Sequence, residues 1–192
     1  RVAMNASVYL NGRLIGRHGQ VGDGVTRNWN RSLFFMIPNG LLQPGTNVLA
    51  IHVVADRVGV GLMREIYLAP AEVLGHFHDL RNLAGTTLLY AIVGLMLVTA
   101  LLTTGLWLLR PRDTLFGWYA LMLAVWSVHD LYFLVTDSWV NPILLEWVWH
   151  VSLVGFVVTV TMITSRFLEI RDPAFERRIA WWLLASVALL AI

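Results

Sequence analysis

The apolar positions of the chain follow two different patterns, and the change falls near residue 75. Before it, apolar residues come in short runs cut by Gly, Pro and Asn. Residues 8–16 (VYLNGRLIG) are two β-rich runs joined by Asn11-Gly12, the pair a type I′ turn favours because both central residues need φ > 0. A hairpin is predicted there. Gly19, Gly22 and Gly24 then mark an irregular loop carrying Asp23. Residues 32–37 (SLFFMI) read as a buried strand stopped by Pro38-Asn39-Gly40, and Pro44-Gly45 punctuates the turn that follows. Alternation along 47–54 predicts another strand, and REIYLA at 64–69 a last one. Short strands with Gly/Pro turns and no helical period predict an antiparallel β-sandwich. About 70 residues are few for a whole sandwich, so further N-terminal strands are expected.

Beyond residue 75 the runs lengthen. Residues 83–109 carry no charge and end at Trp107 and Arg110. At about 1.5 Å per residue, about 20 apolar residues cross the hydrocarbon core of a bilayer. A second span is predicted over 114–135 and a third over 142–168, opened by Asn141-Pro142, a cap followed by proline at the first helical position. Asp172-Pro173 repeats that signal before a fourth run, 179–192, too short to finish a crossing. The expected fold class is therefore an α+β membrane protein. A partial β-sandwich over 1–75 precedes a transmembrane helical domain over 76–192.

Composition agrees. Of 192 residues, 57% are hydrophobic and 14% charged, with a mean hydropathy of +0.66, whereas a soluble domain carries about 25% charged residues. The formal charge of +2 comes from arginine alone, since the sequence has no Lys. The arginines are scattered or sit at helix ends rather than in a basic patch, so nucleic acid is not an expected partner. The absence of cysteine excludes disulfides, thiolate catalysis and Cys-based metal sites.

Arginine placement sets the expected orientation. The first connection carries Arg110 and Arg112, the third Arg166, Arg171, Arg177 and Arg178, and the intervening loop none. Positive-inside bias puts the first and third connections in the cytoplasm and the β domain outside, against the single dissenting charge of Arg81. In that orientation His129 and Asp130 of the second span and Glu146 and His150 of the third all fall in the outer half of the membrane. Glu146 and His150 share one helix face. His76, His78 and Asp79 precede the first span on the same side. Two readings stay open: a polar pocket sensing a proton, ligand or metal, and polar groups that bond between helices and to water. The spacing matches no defined metal motif, and no metal or cofactor is assigned. Trp107, Trp118, Trp139, Trp147, Trp149, Trp181 and Trp182 read as an interfacial belt.

The pattern VYLNGRLIG followed by SLFFMIPNGLLQPGTNVLAIHV resembles the galactose-binding-like jelly roll found beside many glycosidase domains. That resemblance implies a binding module, and His18, Asp23, Trp29 and Arg31, on or beside loops, are its candidate carbohydrate contacts. The alternative is a packing Trp29 among solvated charges. The whole arrangement resembles bacterial seven-transmembrane receptors coupled to diverse intracellular signalling modules. The likeness rests on the LNGRLIG and PGTN strands, the short linker APAEVLGHF, and the RPRDTLFGWYAL connection.

The resemblance implies a sensor in the bacterial inner membrane with its β domain in the periplasm. It would relay an extracytoplasmic small molecule, carbohydrates included, to a cytoplasmic histidine kinase or, less favoured, a diguanylate cyclase. The sequence departs from the family in showing four of seven helices and no output domain. The bilayer and a second copy of the chain are the other expected partners. A membrane-anchored carbohydrate-binding module and a transporter fragment are the rival readings. Asp23, Asp56, Glu65 and Glu72 form no recognisable carboxylate pair, and no Walker loop, nucleophile elbow or kinase motif occurs.

Overall fold

The computed structural model describes residues 5–19, 26–27, 31–54, 63, 65–136, 141–170 and 172–190. Among them, β1 (Asn5–Leu10), β2 (Arg13–His18) and β3 (Leu49–Val54) precede four helices. These are α1 (Ala71–Leu109), α2 (Thr114–Leu134), α3 (Pro142–Phe167) and α4 (Pro173–Leu189). The chain divides into a strand-bearing unit, Arg1–Leu89 with Phe133–Asn141, and a helical unit, Tyr90–Tyr132 with Pro142–Ile192.

The strands form one antiparallel sheet in the order β2-β1-β3. The predicted hairpin is present, with Asn11 at φ 51° and Gly12 at φ 81°, both in the left-handed region a type I′ turn requires. β1 pairs with β3 in unbroken register from Asn5↔Val54 to Leu10↔Leu49. Against β2 the register slips between Val8↔Gly16 and Tyr9↔Leu14, leaving Ile15 as the extra residue of a bulge. Being central, β1 is buried on both faces. Ala6, Val8 and Leu10 line one, Asn5 and Ser7 the other, where Arg17 Nε donates to Ser7 Oγ at 3.2 Å.

The two turn motifs interlock. Asn11 Nδ2 donates to Leu41 O at 3.0 Å and to Asn47 Oδ1 at 2.8 Å, and Val48 N donates back to Asn11 Oδ1 at 2.9 Å. Asn47 closes its own turn, accepting from Gln43 N at 2.9 Å and donating to Gln43 O at 2.8 Å. Turn geometry alone therefore does not account for Asn11. Its amide also ties the hairpin to the start of β3.

Two expected strands do not form, and no second sheet appears among the described residues. Residues 32–37 join no ladder. Their side chains pack instead: the Phe35 ring lies over Gly16, where an added Cβ would collide with Phe35 Cδ1, and Phe34 lies 5.3 Å from the His78 ring. Of the predicted strand 64–69, residues 65–69 are irregular, with Met63 making an isolated bridge. Pro70 follows, disfavours helix at the residue before it, and serves as N-cap of α1.

The linker expected over 69–77 is helical from Ala71 onward. α1 runs 39 residues from Ala71 to Leu109, with Glu72 in its first turn and a π-helical stretch at Leu83–Thr87. The helix therefore begins well before its uncharged run does. The starts of α3 and α4 follow the sequence signals, and Asp113 precedes α2. Asp113 Oδ1 accepts from Leu115 N at 3.3 Å, α3 opens on Pro142, and Asp172 caps α4 by accepting from Ala174 N at 2.8 Å ahead of Pro173. Two helices, α1 and α3, are long and apolar enough to cross a membrane. α2 is diluted by His129 and Asp130, and α4 has 17 residues.

Candidate functional site

Burial in the helical unit takes in polar side chains alongside apolar ones such as Val93, Ala100, Val158 and Met162. Ser127, His129, Asp130, Ser152, Thr159 and Ser165 are buried, while Leu101 is 73% and Leu109 81% exposed. The hydroxyls bond within their own helices: Thr104 Oγ1 donates to Ala100 O at 2.7 Å, Ser127 Oγ to Leu123 O at 2.8 Å, and Ser165 Oγ to Thr161 O at 2.8 Å. Such back-bonding satisfies a polar group without water.

α2 and α3 meet along an aromatic layer built around His129. Residues 126, 129 and 132 recur every three positions on α2, and 146, 149 and 152 on α3, so each set shares a face. The His129 ring stacks between Trp126, at 4.8 Å, and Trp149, at 5.3 Å, each inclined by 23°. Its Nδ1 lies 3.3 Å from both Trp149 O and Ser152 Oγ. Since a carbonyl oxygen only accepts, Nδ1 carries a hydrogen. Ser152 Oγ donates to the same Trp149 carbonyl at 2.7 Å. Tyr132 stacks on Trp149 at 5.0 Å and donates its hydroxyl to Glu146 Oε1. His150 packs edge-on against Trp149 at 4.7 Å and donates Nδ1–H to Glu146 O at 2.8 Å.

Of the four polar residues singled out in the spans, His129, Glu146 and His150 thus join one layer: His150 bonds directly to the Glu146 carbonyl, and His129 is linked to both through the Trp149 and Tyr132 rings. Asp130 is buried beside them in sequence. Trp149, expected as part of an interfacial belt, is a member of this layer. Trp126, Tyr132 and Ser152 are members that inspection of charges alone misses, though their helical spacing marks them. An open groove of about 460 Å³ touches Val157, Thr161, Phe175 and Trp182, and another of about 330 Å³ touches Arg112 and Arg166. Neither reaches the layer. Among the described residues no group of three or more His, Cys, Asp or Glu is arranged to hold a metal ion.

In the strand-bearing unit, His18 ends β2 opposite Ala6, and Arg31 is half-buried ahead of the 32–37 segment. No hydrogen bond joins the two. Asp23 and Trp29 lie outside the described residues. His78 is instead engaged with Ser32 and Asn82 at 3.0 and 2.9 Å. Comparison with protein-family models, curated proteins and solved structures finds no match.

Proposed function

We propose that this chain is the sensing part of a bacterial signal-transduction protein. It would lie in the inner membrane with its strand-bearing unit in the periplasm and relay a small molecule, a carbohydrate first among candidates, to a cytoplasmic output domain. A histidine kinase is preferred over a diguanylate cyclase, as in the receptor family it resembles. The observation that carries this reading is α1 itself, which runs without a break from Ala71, directly after the strand-bearing segment, to Leu109. A continuous helix transmits displacement, whereas a flexible linker absorbs it. Outward leucines and in-helix hydroxyl bonds favour lipid around the helices. The orientation is supported by Arg110, Arg112, Arg166, Arg177 and Arg178 at one end. Within the strand-bearing unit, Arg27 N donates to Thr136 O at 2.8 Å. Ligand binding would act by favouring one packing of α2 on α3 over another, through unequal affinity for the two.

The absence of cysteine makes the test clean. Arg13→Cys on the hairpin and Arg112→Cys at the first connection are spin-labelled together in nanodiscs and exposed to a panel of mono- and oligosaccharides. A sensor gives a saccharide that raises the melting temperature and shifts the label-to-label distance distribution. Binding with an unchanged distribution leaves an anchored binding module. Saccharide uptake into proteoliposomes makes the chain part of a transporter.

A further inference from the structure

One imidazole of the strand-bearing unit has both ring nitrogens in use. His78 Nδ1 lies 3.0 Å from Ser32 Oγ, and His78 Nε2 lies 2.9 Å from Asn82 Nδ2. Ser32 donates both its backbone N–H, at 3.2 Å, and its hydroxyl, at 3.1 Å, to Asn82 Oδ1. The proton directions follow from the one group with no choice. The Ser32 backbone N–H can only donate, so Asn82 must turn Oδ1 to Ser32 and its NH₂ to the imidazole. Nε2 is then an acceptor. The Ser32 hydroxyl hydrogen is already committed to Asn82, so Nδ1 supplies the proton between itself and Ser32 Oγ. The ring of donors closes with a single proton on the imidazole.

A second proton, on Nε2, would face the Asn82 NH₂, donor against donor. Flipping the amide lets the Ser32 hydroxyl turn and accept from the NH₂, but sets that NH₂ against the Ser32 backbone N–H, which can only donate. Neither amide orientation satisfies every donor of the ring once His78 is doubly protonated. We propose that His78 is a proton-controlled latch. Its neutral form clamps the segment around Ser32 and Phe34 onto α1, shortly before the π-helical stretch at Leu83–Thr87, and protonation releases that segment. Stretches of π-helix recur at functional sites, and this one follows directly on Asn82. The titratable residues nearby are His76, Asp79 and Arg81 on α1, Arg31 beside Ser32, and Glu65 and Tyr67 ahead of the helix. None makes a hydrogen bond or ion pair with the imidazole among the described residues. The latch holds whether or not the chain is a receptor.

Met36→Cys places a single nitroxide on the clamped segment, at a side chain that is 67% exposed. Spectra of the whole chain in nanodiscs are compared at about pH 8 and about pH 5, the range in which imidazoles ordinarily change charge. The label is immobilised at the higher pH and gains a reversible mobile component at the lower. His78→Gln removes that pH response. Asn82→Asp is the decisive variant, because a carboxylate accepts from Ser32 and from a doubly protonated imidazole alike, and the label then stays immobilised at both values. A spectrum that does not change with pH in the otherwise unaltered chain overturns the latch, as does an Asn82→Asp chain that still releases on acidification. Should His78→Gln fail to fold, the Asn82→Asp comparison decides alone.

Discussion

The two units solve the problem of polar groups in opposite ways. In the strand-bearing unit, small amides and hydroxyls meet in nearly complete donor–acceptor sets, as in the Asn11–Asn47 lock and the Ser32–His78–Asn82 ring. Apolar side chains there stand partly uncovered, with Leu42 57% and Val48 63% exposed. In the helical unit, polar side chains are drawn inward among aromatic rings and the leucines face out. Where water surrounds a structure, directional bonds specify turns and registers, because each unmet donor costs more than each met one gains. In the lipid environment proposed for the helices, burial of apolar area would not distinguish inside from outside, and packing with interhelical hydrogen bonds would take over. The difference is testable one side chain at a time.

The largest effect belongs to the turn lock. Asn11→Ala removes three side-chain hydrogen bonds and forces an L residue with a Cβ to hold φ 51°. At about 1 kcal/mol per bond and about 1 kcal/mol for the left-handed backbone, discounted for partial exposure, the loss is about 2–3 kcal/mol. Asn11→Gly keeps the turn and loses only the bonds, so it is less destabilised by about 1 kcal/mol. Hydrogen exchange over β1 and β3 reads both. Equal losses in the two variants would mean that the backbone conformation contributes nothing and the bonds everything. No loss in either would dissolve the contrast between the units.

That lock was half legible in the sequence. Asn-Gly, Asn-Pro and Asp-Pro each act on their immediate neighbours, so the hairpin and the starts of α3 and α4 could be read directly. The reach of Asn11 to Asn47 could not, because it crosses 36 positions. Residues 32–37 misled for a different reason. An apolar run looks the same whether its backbone joins a ladder or its phenylalanines dock on Gly16 and His78, and only the partner decides. At α1, Pro70 and Glu72 sit at the helix start, whereas the charges from Asp79 to Arg81 mark only where the apolar run begins. In the aromatic layer, His129, Glu146 and His150 were found as misfits in apolar runs. Trp149 was not, since a tryptophan near a helix end already has an ordinary interfacial explanation.

The aromatic layer carries the next effect. Tyr132→Phe keeps the stack on Trp149 and deletes only the hydroxyl that Glu146 accepts. A hydrogen bond to a carboxylate contributes about 1.5–3 kcal/mol, with the lower end expected between helices in lipid. A double-mutant cycle with Glu146→Gln, read by thermal unfolding in detergent, should return a coupling of about 1 kcal/mol. Zero coupling would make the layer a stack of rings in which the polar atoms are incidental.

The smallest effect separates two ion pairs at the arginine-rich end of the helical unit. Arg166 and Glu176 lie 2.8 Å apart with side chains 18% and 33% exposed, whereas Arg178 and Asp172 lie 3.8 Å apart at 75% and 50%. Water screens the second pair almost completely, and the contact gains little over two solvated charges. Arg178→Ala should leave the unfolding temperature unchanged within error, because Asp172 keeps its cap to Ala174 N without help from Arg178. Arg166→Ala should cost about 1 kcal/mol, since it removes a short bridge between the C-terminal end of α3 and the first turn of α4. If the two substitutions cost the same, distance and exposure do not govern charge pairing at this end.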